Sequence, residues 1–316
     1  MKLQTQIPLS PERNQIDYSS KVLLMGSCFV EHIGDKMEFF KFQNLQNPFG
    51  IIFHPFAIEK LVTRAINEEL FLEEDIFFYN ERWHCFEVHS MLSASEKDEF
   101  LNRLNVQLKQ LGEYLISASH IILTYGTSWV YRHIESDTIV ANCHKIPQKK
   151  FLKELLSVEE VAASIDNTSA LIKALNPNIT FIHTVSPVRH LKDGFVENTR
   201  SKAHLIAGLH EQIDRRKQLH YFPSYEIVLD ELRDYRFYKE DMLHPSKTAI
   251  SIVWEKFNSV WVASETQSLQ KKIQGIQAGL QHRPFNEDSD AHKEFKSDLQ
   301  KDIAEIKTLF PHIEFD

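Results

Sequence analysis

Two distant segments carry side chains whose chemistry is complementary. Gly26-Ser27-Cys28 ends the apolar run KVLLM at 21–25, and Asp241-Met242-Leu243-His244-Pro245 lies far downstream. A serine at a Gly-containing corner before a helix stands in the field of the helix N-terminal amides. That position suits a nucleophile and equally suits an ordinary N-cap, and the local sequence allows both. The spacing Asp241-x-x-His244 also has a physical use. In a tight turn the carboxylate can reach the imidazole Nδ1, hold its tautomer and stabilise the imidazolium formed when His244 takes a proton from Ser27. Together Ser27, His244 and Asp241 are the inventory for nucleophilic acyl transfer. Cys28 is the stronger intrinsic nucleophile, but its neighbours Phe29 and Val30 point to a buried structural thiol.

Such residues need a frame. Short apolar runs at 21–25, 120–124, 179–185 and 225–229 read as strands, each separated from the next by a segment of helical period. Phe100, Leu104, Leu108, Leu111 and Leu115 form a helical stripe. A second helix starts at Ser157, where Glu160 completes a capping box, and stops at Asn176-Pro177. Alternating strands and helices predict an α/β fold with a mostly parallel sheet covered on both faces. Residues 76–90 and 129–142 read as hairpin insertions, turning near Asn80-Glu81 and Ser136-Asp137. Their aromatics, among them Trp83, Phe86, Trp129 and Tyr131, suit either plain core or a stacking surface. The α/β domain is assigned to residues 1–265 and a helical C-terminal extension to 266–316, with Phe295, Leu299, Ile303 and Ile306 on one face.

Ligands of an open parallel sheet gather at the carboxyl ends of its strands. The polar residues there are Ser27, then Thr127 and Ser128, then Arg189 and His190. A guanidinium fork suits a carboxylate or phosphate, although Arg189 could instead pair with Asp193 or Glu197. His84, His89, Cys143 and His144 invite a metal reading. Positions 84 and 89 would face opposite sides of a regular strand, so no metal is predicted, and His84 and His144 are instead expected to line a substrate site. No cofactor is predicted.

Composition narrows the partners. The 316 residues carry 36 basic and 44 acidic side chains, a formal charge of -8, and give no general electrostatic basis for nucleic-acid binding. No apolar stretch approaches a membrane span, and the first twenty residues lack a signal-peptide pattern. Cys28, Cys85 and Cys143 are odd in number and show no CxxC pair, which predicts neither disulfides nor structural zinc and suggests a cytoplasmic location.

Several motifs in order carry a family resemblance. They are GSCF at 26–29, with Val30 following, NPFGIIFHP at 47–55, LTYGTSWVY at 123–131, NCHK at 142–145, TVSPVRHLKDGFVENTRSKA at 184–203 and DELRDYRFYKEDMLHPS at 230–246. Over about residues 20–255 the chain resembles the GSCFA-domain family, taken within the SGNH/GDSL hydrolase-like group. The resemblance implies a three-layer α/β/α, flavodoxin-like SGNH-hydrolase-type fold with Ser27 as nucleophile and Asp241 and His244 completing a triad. It also implies an oxyanion hole from the Ser27 and Gly50 N–H groups. That group normally offers Gly-x-Asn where this chain has Gly126-Thr127-Ser128, so Thr127 or Ser128 would complete the hole. The implied activity is a serine esterase-type hydrolase or acyltransferase acting on a small acyl ester, on an acylated carbohydrate or metabolite. The alternative is a non-catalytic ligand- or glycan-binding protein. The sequence does not set the oligomeric state.

Overall fold

The computed structural model describes residues 4–216, 218–283, 285–286 and 289–315. From the N-terminus come β1 (Lys21–Gly26), α1 (Cys28–Phe39), β2 (Gln43–Gln46) and α2 (Pro55–Ile66). The hairpin β3 (Ile76–Tyr79) and β4 (Arg82–Cys85) leads into α3 (Lys97–Ser117) and β5 (His120–Tyr125). A second insertion holds β6 (Trp129–His133), β7 (Thr138–Val140) and β8 (Phe151–Leu155). The chain continues through α4 (Val158–Leu175), β9 (Thr180–Val185), α5 (Phe195–Arg215), β10 (Leu219–Tyr221) and α6 (Ser224–Glu226). Helices α7 (Lys247–Trp261), α8 (Gln267–Gln281) and α9 (Asp290–Leu309) complete it.

The main sheet has five strands in the order β10-β9-β5-β1-β2, and every pairing is parallel. Two-residue periodicity gives each central strand two apolar faces. Leu23 and Met25 of β1, Ile121, Leu123 and Tyr125 of β5, and Phe181 and Val185 of β9 pack with α2, α3, α4 and α5. Val22 and Leu24 of β1, Ile122 of β5 and Ile182 of β9 pack on the other side with α1 and α7. Ile273 and Ile276 of α8 and Ile303 and Ile306 of α9 belong to that second core. At Gly279 a β-carbon would come within 2.9 Å of Leu299 Cδ1 and 3.2 Å of Phe295 Cζ, so the missing side chain lets α9 lie close against α8.

The strands expected at 21–25, 120–124 and 179–185 form, as do both hairpins and the Ser157 capping box. Asn80 and Glu81 both take positive φ, the turn geometry that matches strand twist. The strand expected at 225–229 does not form. Those residues make α6 and a π-helix at Ile227–Glu231, and the fifth strand is β10 instead. The reason lies in the spacing: Ile227, Val228 and Leu232 are buried together in the second core, a helical interval that the short apolar run conceals. Also unforeseen are β2, with its polar Gln43 and Asn44, and β8, which makes the second insertion a three-stranded sheet.

The sheet's carboxyl edge depends on one close approach. Gly26 has φ +139°, and a β-carbon there would stand 2.1 Å from the Thr124 carbonyl oxygen. Gly26→Ala should therefore force β1 and β5 apart and impose an unfavourable backbone, costing at least about 2 kcal/mol in urea unfolding. A loss below about 0.5 kcal/mol would show that the edge can relax.

Candidate functional site

The carboxyl edge opens into a cleft of about 540 Å³. Cys28, Phe53, His54 and Thr127 lie toward the sheet, Trp129, Tyr131 and Asn142 come from the second insertion, and Arg189, His190, Asp193 and His244 close the other side. It lies where β1 and β5 end side by side, with β2 to one side and β9 to the other, the switch point at which open parallel sheets leave a crevice.

The expected serine is buried under this cleft and acts as a cap. Ser27 is the N-cap of α1, and its Oγ accepts from Phe29 N–H at 3.3 Å. Its own N–H donates to Thr124 O at 2.9 Å, extending the β5 ladder. The other expected oxyanion donors are also committed. Gly50 N–H donates to Asn47 O at 2.7 Å, closing a turn in which Gly50 has φ +73°. Thr127 N–H donates to Phe53 O at 3.1 Å, and its Oγ1 shares a proton with Ser201 Oγ at 2.9 Å. Ser128 N–H donates to Ser201 Oγ at 2.8 Å and Ser128 Oγ to Ser201 O at 3.1 Å. Hydrogen bonds already made inside the fold leave these donors no free direction toward a developing oxyanion.

Asp241 and His244 do meet. Asp241 Oδ2 lies 2.6 Å from His244 Nδ1, while Oδ1 accepts the N–H groups of Leu243 and His244 at 2.8 and 2.9 Å. Those backbone N–H groups, that of His244 first, hold the Asp241 carboxyl down at about 2. Among the described residues no hydrogen bond joins His244 to Ser27.

Around Gly126 three cleft groups converge. A β-carbon on Gly126 would stand 3.3 Å from His190 Nε2, Phe53 O and Ser27 Cβ alike. His190 donates its backbone N–H to Asn198 Oδ1 at 2.9 Å and sets its ring edge-on to Phe53, yet its buried Nε2 has no partner among the described residues. Burial, reinforced by the Lys202 charge, pushes the His190 imidazole down to about 3, so it is neutral at physiological pH. Arg189 Nη2 donates to Met242 O at 2.9 Å, and the guanidinium lies 4.9 Å from the Tyr238 ring centre, while its buried Nε is also unpartnered. The pairing of Arg189 with Asp193 considered from sequence does not occur, because Asp193 is ion-paired with Lys153 at 2.5 Å.

His84 and His144 come together elsewhere. Their rings lie 4.8 Å apart beside Phe77, with His84 held by Ser93 Oγ and Tyr79 O and His144 Nε2 by Cys85 O. Neither lines the cleft. Among the described residues no group of three His, Cys, Asp or Glu side chains is placed to hold a metal.

Two contributors escaped the sequence reading. His54 caps α2: Nδ1 accepts from Ala57 N–H at 3.2 Å, so the ring proton sits on Nε2 and donates to Val140 O at 3.1 Å, tying the second insertion to the sheet edge. The signal was a polar residue directly before Pro55 at the first helical position. Lys202 is buried on the inner face of α5, donating to Gly126 O and Ser186 O at 2.6 Å each. Its signal was a lysine three residues before Leu205 and seven before Leu209, on an apolar helical face.

Fold and cleft define an α/β protein with a crevice at the carboxyl edge of a parallel sheet. The chain belongs to the GSCFA family, whose model matches residues 21–257. A second model, described as the C-terminal domain of GSCFA domain proteins, matches residues 273–316. No curated protein matches the chain. The match is to GSCFA as a distinct family and carries no assignment to the SGNH/GDSL hydrolase group, which corrects the wider grouping and the SGNH-hydrolase-type fold. The serine esterase or acyltransferase reading is corrected with them. The family match does not supply that activity, and Ser27, His244 and the expected donors do not assemble a triad with an oxyanion hole. No helix among the described residues is long and apolar enough to cross a membrane.

Ser27→Ala should remove the α1 cap and cost about 1 kcal/mol in denaturant unfolding; an unchanged midpoint would deny the capping role. Burial pushes the Lys202 ammonium down from its ordinary value of 10.5 to about 7. Between those values the unfolded chain binds a proton that the folded one does not, so this group makes stability rise with pH over that window. Urea midpoints measured across it should climb for the native protein and climb less for Lys202→Met.

Proposed function

We propose that the cleft binds a small hydroxylated molecule of about monosaccharide size that carries an acyl group, an acylated carbohydrate being the class that fits. The observation that carries this reading is the buried, unpartnered Nε2 of His190 against the cleft floor. Buried polar atoms are normally hydrogen-bonded, and a neutral imidazole nitrogen offers a directional contact to a hydroxyl or acyl oxygen. Trp129, Tyr131 and Phe53 give the same cleft aromatic walls, while Asn142 and Thr127 add polar points, the mixture typical of small-molecule sites. Three unpaired cysteines favour a reducing, cytoplasmic setting for this binding.

Thermal unfolding and calorimetry with acetylated glucose, acetylated xylose and unmodified glucose test the reading. The acetylated sugars should bind and raise the melting temperature more than glucose does. His190→Phe and Trp129→Leu, which keep the walls apolar, should each weaken that binding by about tenfold. Binding that survives both substitutions, or no binding of any of the three sugars, would reject this cleft as the site.

A further inference from the structure

Lys202 is a buried cation without a buried anion. Its Nζ is held by two backbone carbonyls, Gly126 O at the end of β5 and Ser186 O at the end of β9, and among the described residues no carboxylate pairs with it. Both tethers lie directly behind the cleft floor. Gly126 packs against His190 Nε2 and Ser27 Cβ, and the Lys202 charge perturbs Cys28 and His190, both of which line the cleft. Of the carboxylates nearby, Asp193 is ion-paired with Lys153, Asp241 is hydrogen-bonded to His244 Nδ1, and Glu31 of α1 accepts from Asn47 Nδ2. Arg189 and Lys192 line the same cleft and form no ion pair among the described residues. Arg189 also keeps a buried Nε with no partner. Three basic side chains, Arg189, Lys192 and Lys202, thus stand at or beneath this opening without an ion-pair partner among the described residues, in a chain whose formal charge is -8.

We infer that the cleft selects an anionic ligand, an acylated sugar or similar small molecule bearing a carboxylate, with the Arg189 guanidinium contacting the anion and buried Lys202 supplying countercharge from beneath the floor. The inference rests on the cleft being the ligand site and adds the charge of what it holds. A carboxylate matches this arrangement because a guanidinium nitrogen and an imidazole nitrogen can each meet one of its oxygens, and hydrogen bonds between charged partners are about twice as strong as neutral ones. Lys202 needs no direct contact, since a buried charge acts through a poorly screened interior.

Binding should also follow the ionisation of Lys202, whose charged and titratable neighbours are Cys28 of α1 and His190 of the loop before α5. Burial pushes all three toward their neutral forms. The site is most cationic below about pH 7 and loses charge as pH rises through that value.

The test is calorimetry on the full chain with acetylated glucuronate, the methyl ester of the same sugar and acetylated glucose, at pH 6 and pH 9. The carboxylate should bind about tenfold tighter than its ester at pH 6, and that preference should shrink at pH 9. Lys202→Met should abolish the preference. Should that variant fail to fold, Arg189→Gln, which removes the guanidinium, should bring acid and ester affinities to within about twofold of each other at pH 6. Equal binding of acid and ester would overturn the anionic inference and leave the cleft as a site for neutral acylated sugars. Absence of binding by all three would overturn both readings. A preference for the acid that is unchanged in both variants would place the anion elsewhere and overturn the inference.

Discussion

The Thr124 carbonyl occupies the space that a side chain on residue 26 would need. This contact lets β1 end flush against β5, and the next residue then donates its N–H to the same carbonyl. Only after that bond does the chain turn into α1, so the cap of the helix and the end of the strand share one point. The neighbouring edge is built in the same way. Phe53 O accepts the N–H groups of both Gly126 and Thr127, and Gly126 O in turn receives Lys202 Nζ. The floor of the cleft is thus a chain of backbone groups fixed by the close approach of two strands. Side chains are added to it afterwards.

That construction separates this edge from an oxyanion site. Stabilising a developing negative charge requires donors held in place yet unspent, so that the reacting oxygen completes them. Here Ser27, Gly50, Thr127 and Ser128 spend their donors on Thr124, Asn47, Phe53 and Ser201. Among the described cleft-lining side chains, His190 and Arg189 keep buried polar atoms unspent, and both offer recognition more readily than charge development. The cleft therefore has the features of a place that holds a molecule.

The sequence made the layered frame readable where a pattern had one physical meaning. β1 beyond Lys21, β5 and β9 are buried along their length and mostly apolar because both their faces are covered, and the Ser157-Glu160 pair can serve few purposes other than a capping box. Tyr225 to Leu229 misled because a five-residue run with only Glu226 charged fits a strand and a turn of helix equally well, and the packing of Ile227 and Val228 beside α7 decided between them. In the site, the nearness of Asp241 to His244 was legible because it is local to a turn. The hold of Ser201 on Thr127 and Ser128 and the burial of Lys202 were not legible, because each depends on where atoms from a distant element come to rest.

Lys202 makes the strongest argument that the edge is more than a structural seam. A methionine would fill the same inner face of α5 without desolvating a charge, and apolar replacement of buried ions is often neutral or stabilising. Two carbonyl partners at 2.6 Å lower the cost of the ammonium, but they carry no net charge to balance it. Both belong to residues just past strand ends, so the lysine also ties β5 to β9 beneath the cleft. A tie alone could be made by a neutral donor, as Ser128 Oγ donates to Ser201 O nearby. What a lysine adds at that point is a positive charge, present below about pH 7 and lost above it, felt by His190 and Cys28 on the wall in front of it, and it is this charge that the proposed anionic ligand would balance from the open side.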